Sequence, residues 1–232
     1  IIWAGGPEVS YDSRETLGRL PELTGVMKGE GEKTFAKLCK VYGKRSETSE
    51  LSLEQIDGIT FRCPDGTICE RPWRVPMDLS EVPFVYHDMK KFENKIIYYE
   101  TSRGCPFSCS YCLSSIDKRL RFRSLDLVFN ELQFFLDHKV PQVKFVDRTF
   151  NCKHDHAMAI WKYIQEHDNG ITNFHFEVAA DLLNDEEIRL IRQMRPGLIQ
   201  LEIGVQSTNT DTIREIRRTM RLEEVREHVA RI

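Results

Sequence analysis

Three cysteines fall within eight residues of one another, at Cys105, Cys109 and Cys112. Thiolates at spacings of four and three can each bind one corner of a cubane iron–sulfur cluster, which leaves the fourth iron without a protein ligand. That iron can bind another molecule. The spacing therefore predicts a cluster that takes part in a reaction, because a cluster used only for electron transfer normally has four cysteine ligands.

Other uses of these thiols stay open. A structural zinc ion takes four tetrahedral ligands, and His87, His154 or His156 could supply the fourth, although zinc motifs usually come as two separated pairs. A disulfide is disfavoured, because an odd number leaves one thiol over and seven cysteines in 232 residues are too few for a disulfide scaffold. A non-catalytic zinc-binding module and an electron-transfer iron–sulfur protein remain as alternatives.

The cysteines follow an apolar segment with a strand pattern, and the chain beyond them alternates between strand and helix patterns. Such alternation is typical of parallel strands joined by crossover helices. The predicted strands span 96–101, 142–147, 173–179 and 198–205. The predicted helices are a stripe from Leu125 to Leu136 after Ser124 as N-cap, a stripe from Ala157 to Ile164, a helix that starts at Asn184 with Glu187 and stops at Pro196-Gly197, one marked by Ile213, Ile216 and Met220, and one over 222–232.

The later strands are polar on one face. Phe174, Phe176 and Val178 alternate with His175 and Glu177, whereas a parallel strand covered by helices on both faces is almost continuously apolar. Polar groups on an inner face need partners. We therefore expect an α/β fold with a partial (β/α) TIM-like barrel whose interior receives a polar ligand at the carboxyl ends of the strands, since only about four of eight β/α units are visible.

The first 95 residues are organised differently. Residues 1–45 have the pattern of the end of an α/β unit, with a short apolar strand before Gly5-Gly6-Pro7-Glu8 and a helix after Gly29-Glu30-Gly31-Glu32. Residues 46–95 read as a linker with a β-hairpin, because Asp65-Gly66 suits a tight turn, and Lys44 to Glu50 has a linker composition. A two-residue loop would set Cys63 opposite Ile68 and disfavour a Cys63–Cys69 disulfide. The third predicted domain is 96–232.

The CxxxCxxC motif has an aromatic residue, Tyr111, before its last cysteine and follows the first strand of a β/α pattern. It resembles the signature of the radical S-adenosylmethionine (SAM) superfamily. The resemblance implies that Cys105, Cys109 and Cys112 bind a [4Fe–4S] cluster, whose fourth iron chelates the amino and carboxylate groups of SAM. An electron then cleaves SAM to methionine and a 5′-deoxyadenosyl radical.

The same resemblance assigns further residues to SAM. The backbone of Tyr111 would meet the adenine, and Asp147 would contact the SAM amino group from the end of the second strand, in place of the commoner Gly-Gly-Glu form. Glu177, Glu202 and Gln206 would meet the ribose or the methionine carboxylate side. A low-potential electron donor of the flavodoxin or ferredoxin type is implied as a partner.

The segments Gly5-Gly6-Pro7-Glu8 and Gly29-Glu30-Gly31-Glu32 are similar to the end of the cobalamin-binding domain that precedes many radical SAM domains. The resemblance implies a parent protein that binds cobalamin and catalyses methyl transfer or a radical rearrangement on an unknown substrate. A methylthio-transferring RNA-modifying enzyme shares the same core, but would be expected to carry three more cysteines in an upstream cluster domain.

Composition narrows the partners only slightly. A formal net charge of -3 argues against a main role in wrapping nucleic acid, and no apolar run approaches the roughly 20 residues of a membrane helix. A cytoplasmic protein is the expectation. Isolated Cys39 and Cys152 are interpreted as small apolar residues. The His154-Asp155-His156 cluster is interpreted as structural, with substrate contact as the alternative. The arginines from Arg214 to Arg231 are interpreted as a solvated helix face, with RNA binding as the alternative.

Overall fold

The computed structural model describes residues 1–43 and 51–232. The predicted linker from Lys44 to Glu50 lies outside the described residues. The chain divides into two compact units, Ile1–Met77 and Asp78–Ile232. The predicted hairpin thus belongs to the same unit as the amino-terminal segment. None of the helices in the described part of the chain has the length and apolar character needed to cross a membrane.

The first unit is built on a four-stranded sheet in the order β1-β2-β3-β4. Strands β1 and β2 are parallel, while β3 and β4 form the antiparallel hairpin. Strand β2 and two short helices were not predicted, because segments of three to seven residues show too little periodicity. The elements are β1 (Trp3–Gly5), α1 (Pro7–Ser10), α2 (Ser13–Arg19), β2 (Gly25–Met27), α3 (Glu32–Tyr42), β3 (Ile59–Arg62) and β4 (Ile68–Glu70).

The register of the hairpin differs from the prediction. Arg62, not Cys63, pairs with Ile68, because the loop has an extra residue: Cys63 N donates to Thr67 O at 2.8 Å. Gly66 takes a positive φ of 86°, which glycine adopts without steric cost. The thiols of Cys63 and Cys69 are free, and Phe61, rather than Cys63, lies directly across from Cys69.

The second unit contains a four-stranded parallel sheet in the order β10-β9-β8-β5. All four predicted strands are present, each one to three residues shorter at its ends. A separate pair, β6 and β7, is antiparallel and was not predicted. The elements are β5 (Ile97–Tyr99), β6 (Ser102–Arg103), β7 (Arg121–Phe122), α4 (Leu125–Asp137), β8 (Gln142–Phe145), α5 (His154–Glu166), β9 (Asn173–Val178), α6 (Asp185–Gln193), β10 (Ile199–Ile203), α7 (Thr210–Glu215) and α8 (Leu222–Arg231).

One face of the sheet and the inner stripes of α4 and α5 form the core. The ring centroid of Phe176 on β9 lies 4.4 Å from that of Phe145 and 4.4 Å from that of Phe150. The predicted alternation on β9 is confirmed, because Phe174, Phe176 and Val178 are buried while the residues between them are half-buried. The opposite, polar face of the sheet is therefore available to line a functional site.

The helix boundaries follow local signals. Ser124 caps α4 through Leu127 N, and Asn184 with Glu187 forms the capping box of α6, as predicted. The fourth predicted helix is shorter than expected: α7 ends at Glu215, and Met220 lies beyond it. The positive φ of Arg217, 54°, accompanies the break between α7 and α8.

A buried ion pair fixes α4 to the strand side of the unit. Glu131 accepts from Arg123 Nη2 at 2.5 Å and from Tyr99 Oη at 2.5 Å, and the side chains of Arg123 and Glu131 are 6% and 9% exposed. Burial, together with the hydrogen bond to Glu131, raises the pKa of Tyr99. The tyrosine therefore stays protonated and acts as a donor.

We expect Glu131→Gln to destabilise the second unit by about 3 kcal/mol, because it leaves a buried guanidinium without its counter-charge. Urea unfolding of the cluster-free protein measures this change. Glu166→Gln, at an exposed residue that closes α5, is the matched control and should shift stability by less than about 0.5 kcal/mol. Equal effects of the two substitutions would contradict the assignment.

Candidate functional site

The three cysteines lie on the loop that follows β6. Cys105 and Cys109 are buried, and Cys112 is half-buried. Cys105 N donates to Asp117 O at 3.0 Å and Ser110 N donates to Ile216 O at 2.9 Å, which tie the loop to later segments, while Cys112 N donates to Cys109 O at 3.1 Å within the loop. The thiols are thereby presented from a fixed backbone.

Gly104 is required by the shape of this loop. Its φ is +99°, and a Cβ atom placed on it would lie 2.4 Å from Arg119 O. Backbone of the 117–119 segment therefore runs directly against it, and the carbonyl of Asp117 is the acceptor for Cys105 N. Only glycine permits both the conformation and the close approach.

The thiols face a cavity of about 230 Å³ at the carboxyl ends of β8, β9 and β10. In parallel α/β folds, ligands bind at this edge. Its lining combines the cysteine loop with polar side chains from the strand ends. The lining residues that matter for the site are Cys105, Cys109, Tyr111, Cys112, Arg148, Thr149, Glu177, Glu202, Gly204, Gln206, Arg218 and Thr219.

Four of the five residues predicted to contact SAM line this cavity: Tyr111, Glu177, Glu202 and Gln206. They come from three separate parts of the chain, the cysteine loop and the ends of β9 and β10. Asp147, the fifth, is fully buried and is not among the lining residues. Geometry thus groups the four residues with the thiols and separates Asp147 from them.

Glu202 contacts two neighbouring side chains on the sheet. Lys144 Nζ donates to its Oε2 at 3.1 Å, and His175 Nε2 lies 3.1 Å from the same oxygen without the alignment of a hydrogen bond. The hydrogen bond from Lys144 lowers the pKa of Glu202, and the charge of His175 acts in the same direction. Glu177, by contrast, forms no ion pair among the described residues.

Gln206 is held in an unusual conformation. Its φ is +61°, and Ser207 N donates to Val205 O across it at 2.7 Å, the bond of a γ-turn. A non-glycine residue in this region costs about 1–3 kcal/mol and is found mainly at functional sites. The turn directs the side chain of Gln206 back to Gly204, where an added Cβ would lie 2.9 Å from its Oε1.

Asp147 anchors the segment ahead of the cysteine loop. Its carboxylate accepts hydrogen bonds from Thr101 N at 3.1 Å, Thr101 Oγ1 at 2.7 Å and Ser102 Oγ at 2.5 Å. Burial raises its pKa from an ordinary 3.8 to about 6, although the three hydrogen bonds oppose the rise. These hydrogen bonds of Asp147 position Thr101 and Ser102, the residues just ahead of the cysteine loop.

This carboxyl makes the stability of the second unit depend on pH. A pKa raised on folding means that the folded state binds the proton more tightly, so the unfolding free energy falls as pH rises from about 4 to about 6. Two pKa units correspond to a loss of about 3 kcal/mol. Burial lowers the pKa of His156 to about 4, so this residue acts in the opposite direction over the same range. The test is therefore a comparison of urea melts. From about pH 4 to about pH 6, the unfolding free energy of the wild type should fall by about 3 kcal/mol relative to that of Asp147→Asn, whereas Asp155→Asn, an exposed control, should keep the wild-type profile. A pH profile of Asp147→Asn that runs parallel to that of the wild type would contradict the raised pKa of Asp147.

Sequence patterns missed two arginines of the cavity. Arg218 was grouped with a solvated helix face, but it lies in the loop between α7 and α8, donates from Nη1 to Tyr111 Oη at 3.1 Å and from Nη2 to Gly204 O. Arg148 follows Asp147 directly and lines the cavity without an ion pair among the described residues. Its position after a strand end was the signal that could have marked it.

The two histidines of the His154-Asp155-His156 cluster contact neighbouring elements. His154 Nδ1 lies 2.9 Å from Glu187 Oε1 of α6. His156 is buried, with Nε2 3.2 Å from Thr101 Oγ1, and burial lowers its pKa to about 4. Both rings therefore tie α5 to its neighbours.

The donor set of the cysteine loop fits an iron–sulfur cluster with one iron open to a ligand, because three thiols lie beside a polar cavity and each thiolate of a cubane meets a different iron. Within residues 1–43 and 51–232, no group of three His, Cys, Asp or Glu side chains is arranged to hold a single metal ion.

Comparison with known proteins agrees with this geometry. Residues 99–232, more than half of the chain, match the family model of the radical SAM superfamily. The chain is 30% identical, over 206 residues, to an uncharacterised methyltransferase of Pyrococcus horikoshii, covering 85% of this chain and 43% of that protein. It is 27% identical over 243 residues to the anaerobic magnesium-protoporphyrin IX monomethyl ester cyclase of a Synechocystis strain, covering 99% of this chain and 46% of the cyclase.

A solved structure shows the same fold. The cobalamin-dependent SAM radical enzyme OxsB, with aqua-cobalamin and SAM bound, superposes with a TM-score of 0.78 at 21% identity. The match covers the whole of this chain and 34% of OxsB. The chain therefore spans less than half the length of each of these relatives.

Proposed function

Because the chain belongs to the radical SAM superfamily, we propose that it forms the cluster-binding part of an enzyme that cleaves SAM reductively. The observation that carries this proposal is the shared cavity: three thiols of one loop face polar residues from the ends of three parallel strands. When bound, a [4Fe–4S] cluster with SAM on its open iron supplies the electron that breaks the carbon–sulfur bond of SAM.

The residues of the chain hold and orient the cofactor. Cys105, Cys109 and Cys112 would each bind one iron, and the backbone at Tyr111 would meet the adenine. Glu177 is suited to the amino or ribose side of SAM because its carboxylate is not paired within the described residues. Gln206 offers an amide from a strained turn, and Glu202 acts on the same side while it also holds Lys144.

Asp147 was predicted to contact the SAM amino group. Its burial and its hydrogen bonds to Thr101 and Ser102 support a different role, in which it fixes the strand end from which the cysteine loop departs. We propose that any contact of Asp147 with SAM is indirect, through the position of that loop.

We infer that the four parallel strands belong to a partial TIM-like barrel, with the polar face of β9 and β10 turned to its interior. The first unit fits the end of a cobalamin-binding domain, because Gly6 and Gly29 lie in loops at the carboxyl ends of its parallel strands, with positive φ angles of 101° and 67°. No residue of this chain is assigned to the corrin. The proposed domains are 1–45, 46–95 and 96–232, and the hairpin of the second proposed domain joins the sheet of the first.

We propose that the whole protein uses cobalamin for methyl transfer or a related radical rearrangement. Two of the similar proteins support this proposal, one named a methyltransferase and one described as cobalamin-dependent. A reductant and an organic substrate are required by the reaction. The proposed reductant is a flavodoxin- or ferredoxin-like protein, and the proposed location is the cytoplasm.

The test is the formation of 5′-deoxyadenosine. The full-length protein, purified and reconstituted with iron and sulfide under anaerobic conditions, should release 5′-deoxyadenosine when incubated with SAM and dithionite. Omission of dithionite is the control and should give none. A protein with a full cluster that yields no SAM cleavage product of any kind, and whose cluster spectrum does not respond to SAM, would refute the proposal.

A further inference from the structure

A hydroxyl group of the cavity wall lies next to one of the cluster thiols and has no role in the function proposed above. Thr149 Oγ1 is 3.9 Å from Cys105 Sγ. Both residues are buried, at 8% and 7% exposure. The separation is at the long end of hydrogen bonds that involve sulfur, and neither water nor other side chains can easily come between two buried groups.

The backbone at Thr149 is fixed by the turn that follows it. Phe150 is in the core, 5.3 Å from the ring of Trp161. Asn151 is fully buried and forms two hydrogen bonds with the backbone of Ala179, one donated by Nδ2 and one accepted by Oδ1, each 2.9 Å long. Cys152 N donates to Thr149 O at 3.1 Å. The backbone that carries the Thr149 hydroxyl is therefore held by the core and by Ala179.

The thiol is equally well held. Cys105 N donates to Asp117 O, and Gly104 is packed against the carbonyl of Arg119. The contact between Thr149 and Cys105 thus joins two rigid backbones, the end of β8 and the cysteine loop.

The direction of this hydrogen bond depends on the state of the sulfur. In the free thiol, Cys105 can donate to Thr149 Oγ1, because the threonine hydroxyl itself donates to Arg148 O at 2.8 Å. A thiolate bound to iron has no proton and can only accept. The hydroxyl of threonine rotates to suit its partner, so it can then turn toward the sulfur.

We propose that Thr149 donates a hydrogen bond to the Cys105 sulfur when that sulfur is a cluster ligand, and that this bond raises the reduction potential of the cluster. The inference rests on the proposed function. Hydrogen bonds to the sulfurs and exclusion of solvent are among the factors that set cluster potentials, because a donor withdraws negative charge from the sulfur and so favours the reduced cluster. Thr149 is a positioning and tuning residue in this role.

The experiment is a redox titration of the reconstituted cluster in the absence of SAM, followed by electron paramagnetic resonance. Thr149→Val removes the hydroxyl and keeps the shape, and should shift the midpoint potential to a more negative value. Thr149→Ser keeps the hydroxyl and should retain the wild-type value. Thr219→Val is the matched control, since Thr219 lines the same cavity and has no hydrogen bond to a cysteine within the described residues.

An unchanged potential in Thr149→Val, with the cluster intact, overturns the inference, as does an equal shift in Thr219→Val. If Thr149→Val does not assemble a cluster, alkylation of the cluster-free protein replaces the titration. The rate of alkylation of Cys105 relative to that of Cys109 should then change in Thr149→Val and not in Thr149→Ser. A ratio of alkylation rates that is unchanged in both variants overturns the inference. Failure of the proposed function is seen separately, as a wild-type protein with a cluster but without SAM cleavage.

Discussion

Replacing Cys105, Cys109 or Cys112 with serine is expected to abolish cluster binding and SAM cleavage. In the proposed cluster, each thiolate would be the only protein ligand of its iron, and a hydroxyl is a poor ligand for this metal. The loss should exceed about 100-fold, because even residues that only support a metal ligand cost 10–100-fold when they are replaced. Iron and sulfide content, with 5′-deoxyadenosine release, measure the effect.

Two other cysteines provide controls for this series. Cys39 is exposed in the first unit, and Cys152 lies in the turn behind Cys105, where burial raises its pKa to about 11. Serine at either position should leave iron content and SAM cleavage within about twofold of the wild type, since neither thiol belongs to the motif. A cluster that survives the loss of a motif cysteine but not of Cys152 would show that the ligand set is assigned wrongly.

Gly104→Ala is expected to remove the cluster without removing any ligand. The new methyl group would lie 2.4 Å from Arg119 O, so either the cysteine loop or the 117–119 segment must move. A displaced loop carries Cys105 with it. The destabilisation combines the clash with the cost of a positive φ, about 1–3 kcal/mol for the φ alone. Thermal unfolding and iron content after reconstitution measure the two consequences.

Gly6→Ala separates the two causes. Gly6 has a φ of +101°, almost the same as that of Gly104, but an added Cβ would meet no atom within 4 Å. This variant should therefore show only the conformational cost and should bind iron as the wild type does. Full cluster loading in Gly104→Ala would contradict the view that the backbone contact shapes the loop.

Helix and strand positions were largely predictable in the second unit. Ser124 and the Asn184 to Glu187 capping box mark helix starts through local hydrogen bonds, and the alternation on β9 follows from burial of one face. Predictions were poorer where the signal is not local. Strand β2 and the pair β6 and β7 are short and pair with residues about 20 positions away, and the hairpin loop has one residue more than the Asp65-Gly66 pattern predicts.

The candidate site was predictable in its ligands and less so in its surroundings. The resemblance to the radical SAM superfamily implied that Tyr111, Glu177, Glu202 and Gln206 contact SAM, and these residues line the cavity together with the thiols. The contact predicted between Asp147 and SAM stays a prediction; in the structure Asp147 is buried, is not among the residues that line the cavity, and accepts hydrogen bonds from Thr101 and Ser102. Side-chain direction at a strand end depends on which neighbour buries it, and no pattern of residue types encodes that.

The sequence by itself determined the chemistry: three thiols at spacings of four and three can hold a cluster with one open iron, because ligand number is a property of residue types alone. Only the tertiary structure decided which groups share the cavity with that cluster. Arg218 reaches Tyr111 across more than 100 positions of the chain, and Thr149 meets Cys105 across 44. Such contacts arise from the register of parallel strands and the packing of their loops, and these depend on the whole fold.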